Sequence, residues 1–455
     1  MSQNNVSPGS EAMPQHRALF DLPLPAAAET PVLAGGEPRV QRAARNQLLL
    51  LPVNLEDLVP DDHPARVVWA YVQGLDLSAL YQKILAVEHR PGRPPIDPQI
   101  LMTLWLYATI DGVGSARALE ELCANHDAYR WICGGVSVNY HTLSDFRTAH
   151  AEFLSDLLTR SVATLMAQEL VDLNRVAQDG MRVRASAGAA SFRRRKTLEQ
   201  CLHEAEEHIR SLERELDEDP GGVDRRQQKA RQRAARERDA RVRQALEQLP
   251  ELEAKKKAGA KNEARASTTD PEARVMKMAD GGFRPAFNVQ LATDTASQII
   301  VGVEVVNSGS DQGQLAPMVE QIQERQEKAP AEMLVDGGFV KKEDIDSVSA
   351  PEVGTVVYAP VPKPKDVKRD PHTPCAGDSP AVAEWRQRMG TAEAKEIYKE
   401  RAATAECVNA LARNRGLRQF LVRGLQKVKA VVLWFVLAHN LMRAGTLRAA
   451  AGCGG

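Results

Sequence analysis

The spacing of apolar side chains divides the chain into a helical first part and a mixed second part. Across residues 46–170, apolar residues recur every three or four positions, as in the run from Phe153 to Val162, and this spacing predicts helices. From Arg175 onward, apolar and polar residues alternate in short runs, a pattern typical of strands. Residues 1–45 show neither period and are predicted to be a tail.

Five short segments carry the strand pattern, and helices are predicted between the later ones. The segments cover about residues 175–183, 287–293, 299–305, 333–335 and 354–359. The first three can pair as a meander, whereas each later strand needs a helical crossover to reach the same sheet. We therefore predict an α/β fold in which helices flank a mixed five-stranded sheet.

A long charged segment, residues 192–262, interrupts this sheet after its first strand. A narrow apolar seam that includes Leu198 and Leu212 runs along the segment, and arginines crowd residues 225–243. The seam predicts a helical hairpin or coiled-coil arm with its turn at residues 220–222. The arginines would suit contact with DNA or with a second subunit, but a solvated arm without a partner has the same pattern.

These boundaries define the predicted domains. A helical domain covers residues 46–170, the sheet domain is assembled from residues 171–191 and 263–445, and residues 446–455 form a second tail. The arm is thus an insertion between the first and second strands.

Charge and cysteine content narrow the class of protein only slightly. Lys+Arg 59 and Asp+Glu 60 leave a formal net charge of −1, so a DNA-binding surface must come from an uneven distribution of charge. The six cysteines form no CxxC pair, which argues against a zinc site. No signal peptide is recognisable, and the longest apolar run, Ala430 to Ala438, is too short to span a bilayer. We predict a cytoplasmic, nucleoid-associated protein without a membrane partner.

The helical part contains a tight break followed by a helix that would suit DNA recognition. Gly134 and Gly135 make the break, and a helix that carries Arg147 begins near His141. Short helices around such a break are typical of a helix-turn-helix, in which Arg147 would contact DNA. A small helical bundle without a ligand has the same spacing, and the spacing alone favours the bundle.

Three acidic residues stand where catalytic carboxylates could meet. Asp179 lies on the first strand, Asp336 ends the fourth strand ahead of Gly337 and Gly338, and Glu406 lies on a late helix. Ligands of α/β sheets bind at the carboxyl ends of strands, although an aspartate there is more often a turn residue. Converging carboxylates repel one another unless a cation neutralises them. Two Mg²⁺ ions, or Mn²⁺ in their place, would suit this all-oxygen set.

The stretches around the two aspartates resemble the DDE transposases of bacterial insertion sequences. Residues 178–186 resemble the strand that carries the first aspartate in those enzymes, and residues 280–290 resemble their second strand. Residues 334–339 resemble the motif of the second aspartate. The motifs occur in the expected order, so the resemblance extends over most of the chain from about residue 46 to residue 445.

The late helix resembles the one that carries the third acid in the same enzymes. Tyr398, Arg401, Glu406 and Arg413 correspond to its pattern of tyrosine, arginine, glutamate and a basic residue. At about 100° per residue, Tyr398, Glu406 and Arg413 would share one helix face. Residues 141–147 resemble part of the helical end-binding domain that precedes the catalytic core.

The resemblance implies both a fold and an activity. The fold would be an RNase H-like sheet domain, preceded by a helical DNA-binding domain. Asp179, Asp336 and Glu406 would bind two Mg²⁺ ions, cut double-stranded DNA at the ends of the element and join those ends to target DNA. Two ends must meet in one assembly, which implies a homodimer. Contacts with the DNA would come from four side chains: Tyr398, Arg401, Arg413 and Arg147.

Three other functions agree with the same residues. One is an RNase H-like nuclease that cuts DNA without transposition. Another is a DNA-binding protein whose core is catalytically silent, although intact acids argue against it. The third is an interaction protein built around the coiled-coil arm. For Tyr398 and Arg401, helix packing or a surface ion pair is the alternative to phosphate binding.

Overall fold

The structure is a computed structural model, and it describes five stretches of the chain: residues 54–84, 94–218, 225–255, 263–364 and 369–452. The tail predicted for residues 1–45 and the turn predicted at residues 220–222 lie outside the described residues.

The first part of the described chain is helical, as its apolar spacing predicted. After a 3₁₀ turn at Leu55–Leu58, the helices are α1 (Pro64–Gln73), α2 (Ser78–Tyr81), α3 (Pro98–Ile110), α4 (Ala116–Asn125), α5 (Asp127–Cys133), α6 (Tyr140–Ala149) and α7 (Ala151–Ala167). Helix α3 begins at Pro98 because Asp97 accepts a hydrogen bond from the backbone N–H of Gln99 at 2.8 Å. Helix α5 ends at Gly134, whose left-handed φ of 56° breaks it from α6.

The second part contains the strands, the arm and the C-terminal helices. In chain order these are β1 (Arg175–Arg184), β2 (Phe192–Arg193), α8 (Arg195–Glu218), α9 (Arg225–Ala254), β3 (Ala266–Ser267), β4 (Arg274–Lys277), β5 (Phe283–Asp294), β6 (Ile300–Val306), α10 (Leu315–Gln326), β7 (Glu332–Leu334), α11 (Lys342–Val348), β8 (Val356–Tyr358), α12 (Pro380–Gly390), α13 (Ala392–Arg401), α14 (Cys407–Asn414) and α15 (Leu425–Gly452). A π-helical turn at Ala402–Glu406 joins α13 to α14.

The main sheet is mixed, and β1 lies at its centre. Strand β5 pairs antiparallel with β1 on one side, and β7 pairs parallel with it on the other. Strand β6 extends the β5 side in the antiparallel sense, and β8 extends the β7 side in the parallel sense. The prediction of a mixed sheet with flanking helices is confirmed.

The sheet has a sixth strand that the sequence pattern did not predict. Strand β4 pairs with the first residues of β5, along the same edge as β6. It spans only Arg274–Lys277, and Met276 is its one buried side chain. A run this short and this polar shows too little alternation to be recognised as a strand.

Helices α8 and α9 form an antiparallel hairpin where the apolar seam predicted an arm. Arg195 of α8 lies 3.0 Å from Glu253 near the base, and Glu213 lies 3.7 Å from Arg236 of α9 further out. A row of buried apolar side chains runs between the two helices: Leu198, Ala205, Leu212, Ala235, Val242, Ala245 and Leu249. At the base, β2 and β3 pair in a small separate ribbon.

One hydrophobic core joins the first helices to the sheet, and α15 runs through it. This helix packs against α3, α6 and α7 on one side and against β6 on the other. The indole N–H of Trp434 donates a hydrogen bond to the backbone carbonyl of Arg147 at 2.9 Å. Helix α15 continues past residue 446, where a second tail was predicted, because Leu447 still packs against this core.

Helix α15 is also long and apolar enough to cross a membrane, and no other helix in the described part of the chain is. However, 67% of its most apolar window is buried inside the protein, as is usual for the core helix of a globular fold. The apolar run from Ala430 to Ala438 is flanked by further buried residues, Val428 and Ala444.

Candidate active site

The two aspartates singled out in the sequence occupy equivalent places on neighbouring parallel strands. Ala177 of β1 pairs with Leu334 of β7. Asp179 comes two residues after Ala177, and Asp336 comes two residues after Leu334. Strands in register therefore bring Asp179 and Asp336 to the same edge of the sheet. The side chain of Asp179 is 20% exposed and that of Asp336 is 42% exposed, so both remain open to a ligand.

A single guanidinium lies between these carboxylates. The Nη2 atom of Arg401 lies 3.0 Å from Oδ1 of Asp179 and 3.9 Å from Oδ2 of Asp336. Arg401 ends α13, and its side chain is only 12% exposed. The structure thus brings together two of the predicted acids and one of the predicted DNA-binding residues, with the arginine acting as a counter-ion for both acids.

Electrostatics at Asp179 combine opposing effects. Burial raises the pKa of Asp179 above its ordinary value, and the neighbouring carboxylate of Asp336 raises it further, while the positive charge of Arg401 lowers it. The net result of these effects is a raised pKa for Asp179. Carboxylates in such a state gain from any additional cation, because the cation removes their mutual repulsion.

Tyr398 also reaches the site, but its hydroxyl contacts protein. The phenol O–H donates to the backbone carbonyl of Val335 at 3.2 Å, one residue before Asp336. Its ring is half-buried, and burial raises the pKa of the phenol. In this arrangement Tyr398 holds the end of β7 in place beside α13.

Asn409 is a site residue that sequence reasoning missed. Its amide Nδ2 donates to Oδ2 of Asp179 at 2.8 Å, and the residue is 4% exposed. Asn409 lies three residues after Glu406, in the stretch that carries the predicted third acid. However, on a regular helix Asn409 would lie about 80° from Arg401 around the axis, and the π-helical turn brings the two closer together.

Glu406, the third predicted acid, is not part of this pair. It lies at the end of the π-helical turn and is exposed. Within the part of the chain that the structure describes, no three His, Cys, Asp or Glu side chains come close enough to hold a metal ion. The expected convergence of three acids is therefore met by Asp179 and Asp336 alone. Two carboxylates around one positive charge still fit a divalent cation, and their oxygen donors suit magnesium.

The two remaining predicted DNA contacts have opposite environments. Arg413 is exposed on α14. Arg147 is 6% exposed, lies 4.5 Å from the ring centre of Trp105 and donates to the carbonyl of Gly114. Burial lowers the pKa of Arg147 to about 10. Helix α6 thus turns Arg147 into the core, where the aromatic face stabilises the charge, and its contact with DNA stays a prediction.

A buried polar network lies on the other face of β1, behind Asp179. Asp311 accepts hydrogen bonds from Asn288 at 2.7 Å, from Gln290 at 2.8 Å and from Arg182 at 3.0 Å. A Cβ atom on Gly180 would overlap Asp311 and would lie 2.6 Å from Nε2 of Gln290. Residue 180 must therefore be glycine for Asp311 to pack against the strand that carries the first aspartate.

Two stretches of the chain match known transposase domains. Residues 53–149 match a transposase domain (DUF772), and residues 376–444 match a transposase DDE domain. No curated protein and no solved structure matches the chain. The first match spans α1 to α6, and the second includes Arg401, Glu406 and Asn409 but neither aspartate. Both matches are to transposase domains, the second of the DDE type, so they confirm the resemblance to the DDE transposases of insertion sequences that was found in the sequence.

Proposed function

We propose that this transposase binds the ends of its insertion sequence, cleaves the DNA there and joins the ends to target DNA. Asp179, Asp336 and Glu406 would hold the divalent cations that this chemistry needs. One observation carries the proposal: carboxylates from two neighbouring parallel strands share the guanidinium of Arg401, at 3.0 and 3.9 Å. A pair of acids already organised around one positive charge is suited to metal-dependent phosphoryl transfer.

The sheet supports an RNase H-like arrangement of the catalytic domain. Strands β1, β5 and β6 pair as an antiparallel meander, and the arm is inserted between the first two of them. Strands β7 and β8 are parallel to β1 and follow it through helices α10 and α11. This is the combination of meander and helical crossovers that the order of the strand segments predicted.

Each side chain has a task that follows from its position. Asp179 and Asp336 would hold magnesium, or manganese in its place, through carboxylate oxygens. When bound, the cations would activate a water or a 3′-hydroxyl and stabilise the leaving oxygen. Arg401 would then exchange the carboxylates for a DNA phosphate, because a guanidinium binds both groups through the same planar donors.

Helix geometry supports Glu406 as the third ligand. If the π-helical turn absorbs one residue, seven steps of about 100° separate Tyr398 from Glu406, which leaves the two side chains about 20° apart. Tyr398 contacts the end of β7, so Glu406 would face the same edge of the sheet. We propose that it joins the two aspartates when cation and DNA are bound.

The DNA partner follows from the same proposal. Arg413 is exposed on the helix that follows Glu406, where it would bind a phosphate near the cut, and Tyr398 borders the same site. Two ends must be held in one assembly, so the active species would be a homodimer on DNA in the cytoplasm. Binding should weaken steeply with salt, because phosphate contacts release counterions.

An Asp336→Asn variant tests the proposal. The amide keeps the shape of the side chain but cannot hold a cation as a carboxylate does. We expect cleavage and joining of a paired-end DNA substrate to be lost in Mg²⁺, while end binding in a gel-shift assay stays nearly unchanged. Glu352→Gln, an exposed acid away from the site, is the matched control.

Two outcomes would contradict the proposal. Undiminished cleavage by the Asp336→Asn variant would mean that this acid is not a ligand. Nicking of the correct ends by the unaltered protein, with no joined product under any condition, would replace transposition by a simple nuclease activity.

A further inference from the structure

We infer that Asn409 is a positioning residue for the first catalytic acid. The inference deepens the proposed function, because it concerns how Asp179 is prepared to hold a cation. It rests on three features of the described residues: the two hydrogen bonds that Asp179 accepts from one helical run, the π-helical turn within that run, and the burial of the asparagine.

Both oxygens of Asp179 are held from the same side. Arg401 donates to Oδ1 at 3.0 Å, and Asn409 donates to Oδ2 at 2.8 Å. With a donor on each oxygen, the carboxylate cannot rotate freely about its bond to Cβ. The two donors therefore fix the orientation of this carboxylate beside Asp336.

The π-helical turn is what allows one helix to supply both donors. Arg401 and Asn409 are eight residues apart, and eight steps of about 100° would leave them about 80° apart on a regular helix. If the turn at Ala402–Glu406 takes up one of those residues, seven steps leave them about 20° apart. Extra residues of this kind are found frequently at functional sites.

Arg401 and Asn409 should respond differently when a cation binds at Asp179. The guanidinium of Arg401 carries the charge that a metal ion would replace, so it must give way. The amide of Asn409 is neutral and is 4% exposed, so it neither competes with the cation nor exchanges readily with water. Asn409 would thus remain as the side-chain donor that orients Asp179 in the loaded site, and such outer partners typically tune metal affinity.

The experiment measures metal binding apart from catalysis. The full-length protein and its Asn409→Ala and Asn409→Ser variants are titrated with Mn²⁺ without DNA, and free Mn²⁺ is followed by electron paramagnetic resonance. We expect the Kd for Mn²⁺ to rise about 10- to 100-fold in both variants. Cleavage at subsaturating Mn²⁺ should fall in proportion, while the gel-shift affinity for end DNA stays unchanged.

The controls separate positioning from a structural role. Asn414→Ala alters an exposed asparagine at the end of the same helix and should leave Mn²⁺ binding unchanged. Melting temperatures identify a variant that fails to fold. The serine variant, whose polar side chain is too short to reach Asp179 as Nδ2 of Asn409 does, then provides the measurement if the alanine variant is unstable.

The failure of this inference differs from the failure of the proposed function. If Asp179→Asn weakens Mn²⁺ binding but folded Asn409 variants bind Mn²⁺ as tightly as the unaltered protein, Asn409 has no positioning role and the proposed function stands. If the Asn409 variants weaken Mn²⁺ binding but the unaltered protein never cuts its end DNA, the inference stands and the proposed activity is wrong.

Discussion

At the scale of single residues, the position of Asp179 depends on residues that pack on the opposite face of β1. Gly180 follows Asp179 directly, and the absence of a Cβ there lets the buried network around Asp311 approach β1. Asp311 accepts three side-chain hydrogen bonds, so it cannot move without leaving buried donors unpaired, which is costly. The position of Asp179 is therefore coupled to a network on the opposite face of its strand.

A Gly180→Ala substitution should disturb both stability and catalysis. The new methyl group would force Asp311 and Gln290 apart, and overpacking of this kind costs about 1–3 kcal/mol in the free energy of unfolding. If β1 shifts by about 1 Å at Asp179, cleavage should fall about 100-fold. Urea unfolding and a cleavage assay measure the two effects.

Gly188→Ala is the control for that substitution. Nothing lies within 4 Å of a Cβ at this exposed position, and its φ of −86° suits any residue. Equal stability and equal cleavage in the Gly180 and Gly188 variants would refute the idea that Asp311 and Gly180 act as a unit.

At the scale of elements, the arm is held together by its own charges and its own seam. Arginines of α9 pair with glutamates of α8: Arg236 lies 3.7 Å from Glu213, and Arg238 lies 3.7 Å from Glu204. Exposed pairs of this kind add little stability, but they align the two helices. Part of the arginine density that suggested a DNA contact is thus used within the hairpin.

A Leu249→Ala substitution should loosen the arm without loosening the sheet. Leu249 is fully buried in a small cluster at the base of the arm, apart from the main core. A Leu→Ala cavity costs about 2–5 kcal/mol, so local opening should become far more frequent. Hydrogen exchange should become faster along α8 and α9 and stay unchanged in β1 and β5.

Glu247→Ala, an exposed change two residues away, should leave exchange in the arm unaltered. Faster exchange throughout the sheet in the Leu249 variant would mean that the arm and the sheet open as one unit, contrary to their separate apolar clusters.

At the scale of the whole molecule, α15 makes the first helices and the sheet one structure. Trp434 is fully buried, donates to the carbonyl of Arg147 on α6 and lies 6.2 Å from the ring of Phe146. On the other side, the amide of Asn440 on the same helix donates to the carbonyl of Ile300 in β6 at 2.8 Å. The C-terminal helix that packs on the sheet therefore also completes the core of the N-terminal helices.

A Trp434→Ala substitution should weaken both parts together. Truncation of a fully buried tryptophan costs about 3–5 kcal/mol, which urea unfolding would measure. Limited proteolysis should then cleave α3 to α7 and the sheet at similarly increased rates. Met442→Ala, at a 37% exposed position of the same helix, is the control. Continued protection of α3 to α7 in the Trp434 variant would mean that these helices fold independently.

The sequence by itself determined most of the elements, their order and the resemblance to transposases. Helical and strand spacing are local properties, so the apolar periods predicted the mixed sheet and the helices around it. The acids at the ends of two strands could be recognised for the same reason, because Asp179 and Asp336 stand beside short apolar runs and glycines. The missed strand, Arg274–Lys277, was too short and too polar to show its period.

Only the tertiary structure decided which of these residues meet. The pairing of β1 with β7 places the two aspartates side by side, and no local pattern specifies that pairing. The packing of α6 in the core determined that the side chain of Arg147 lies over the ring of Trp105. The π-helical turn brought Asn409 to Asp179, and Glu406 lies exposed at the end of that turn. The physical reason is the same each time: a side chain's partners depend on which faces pack together, and packing joins residues that are remote in sequence.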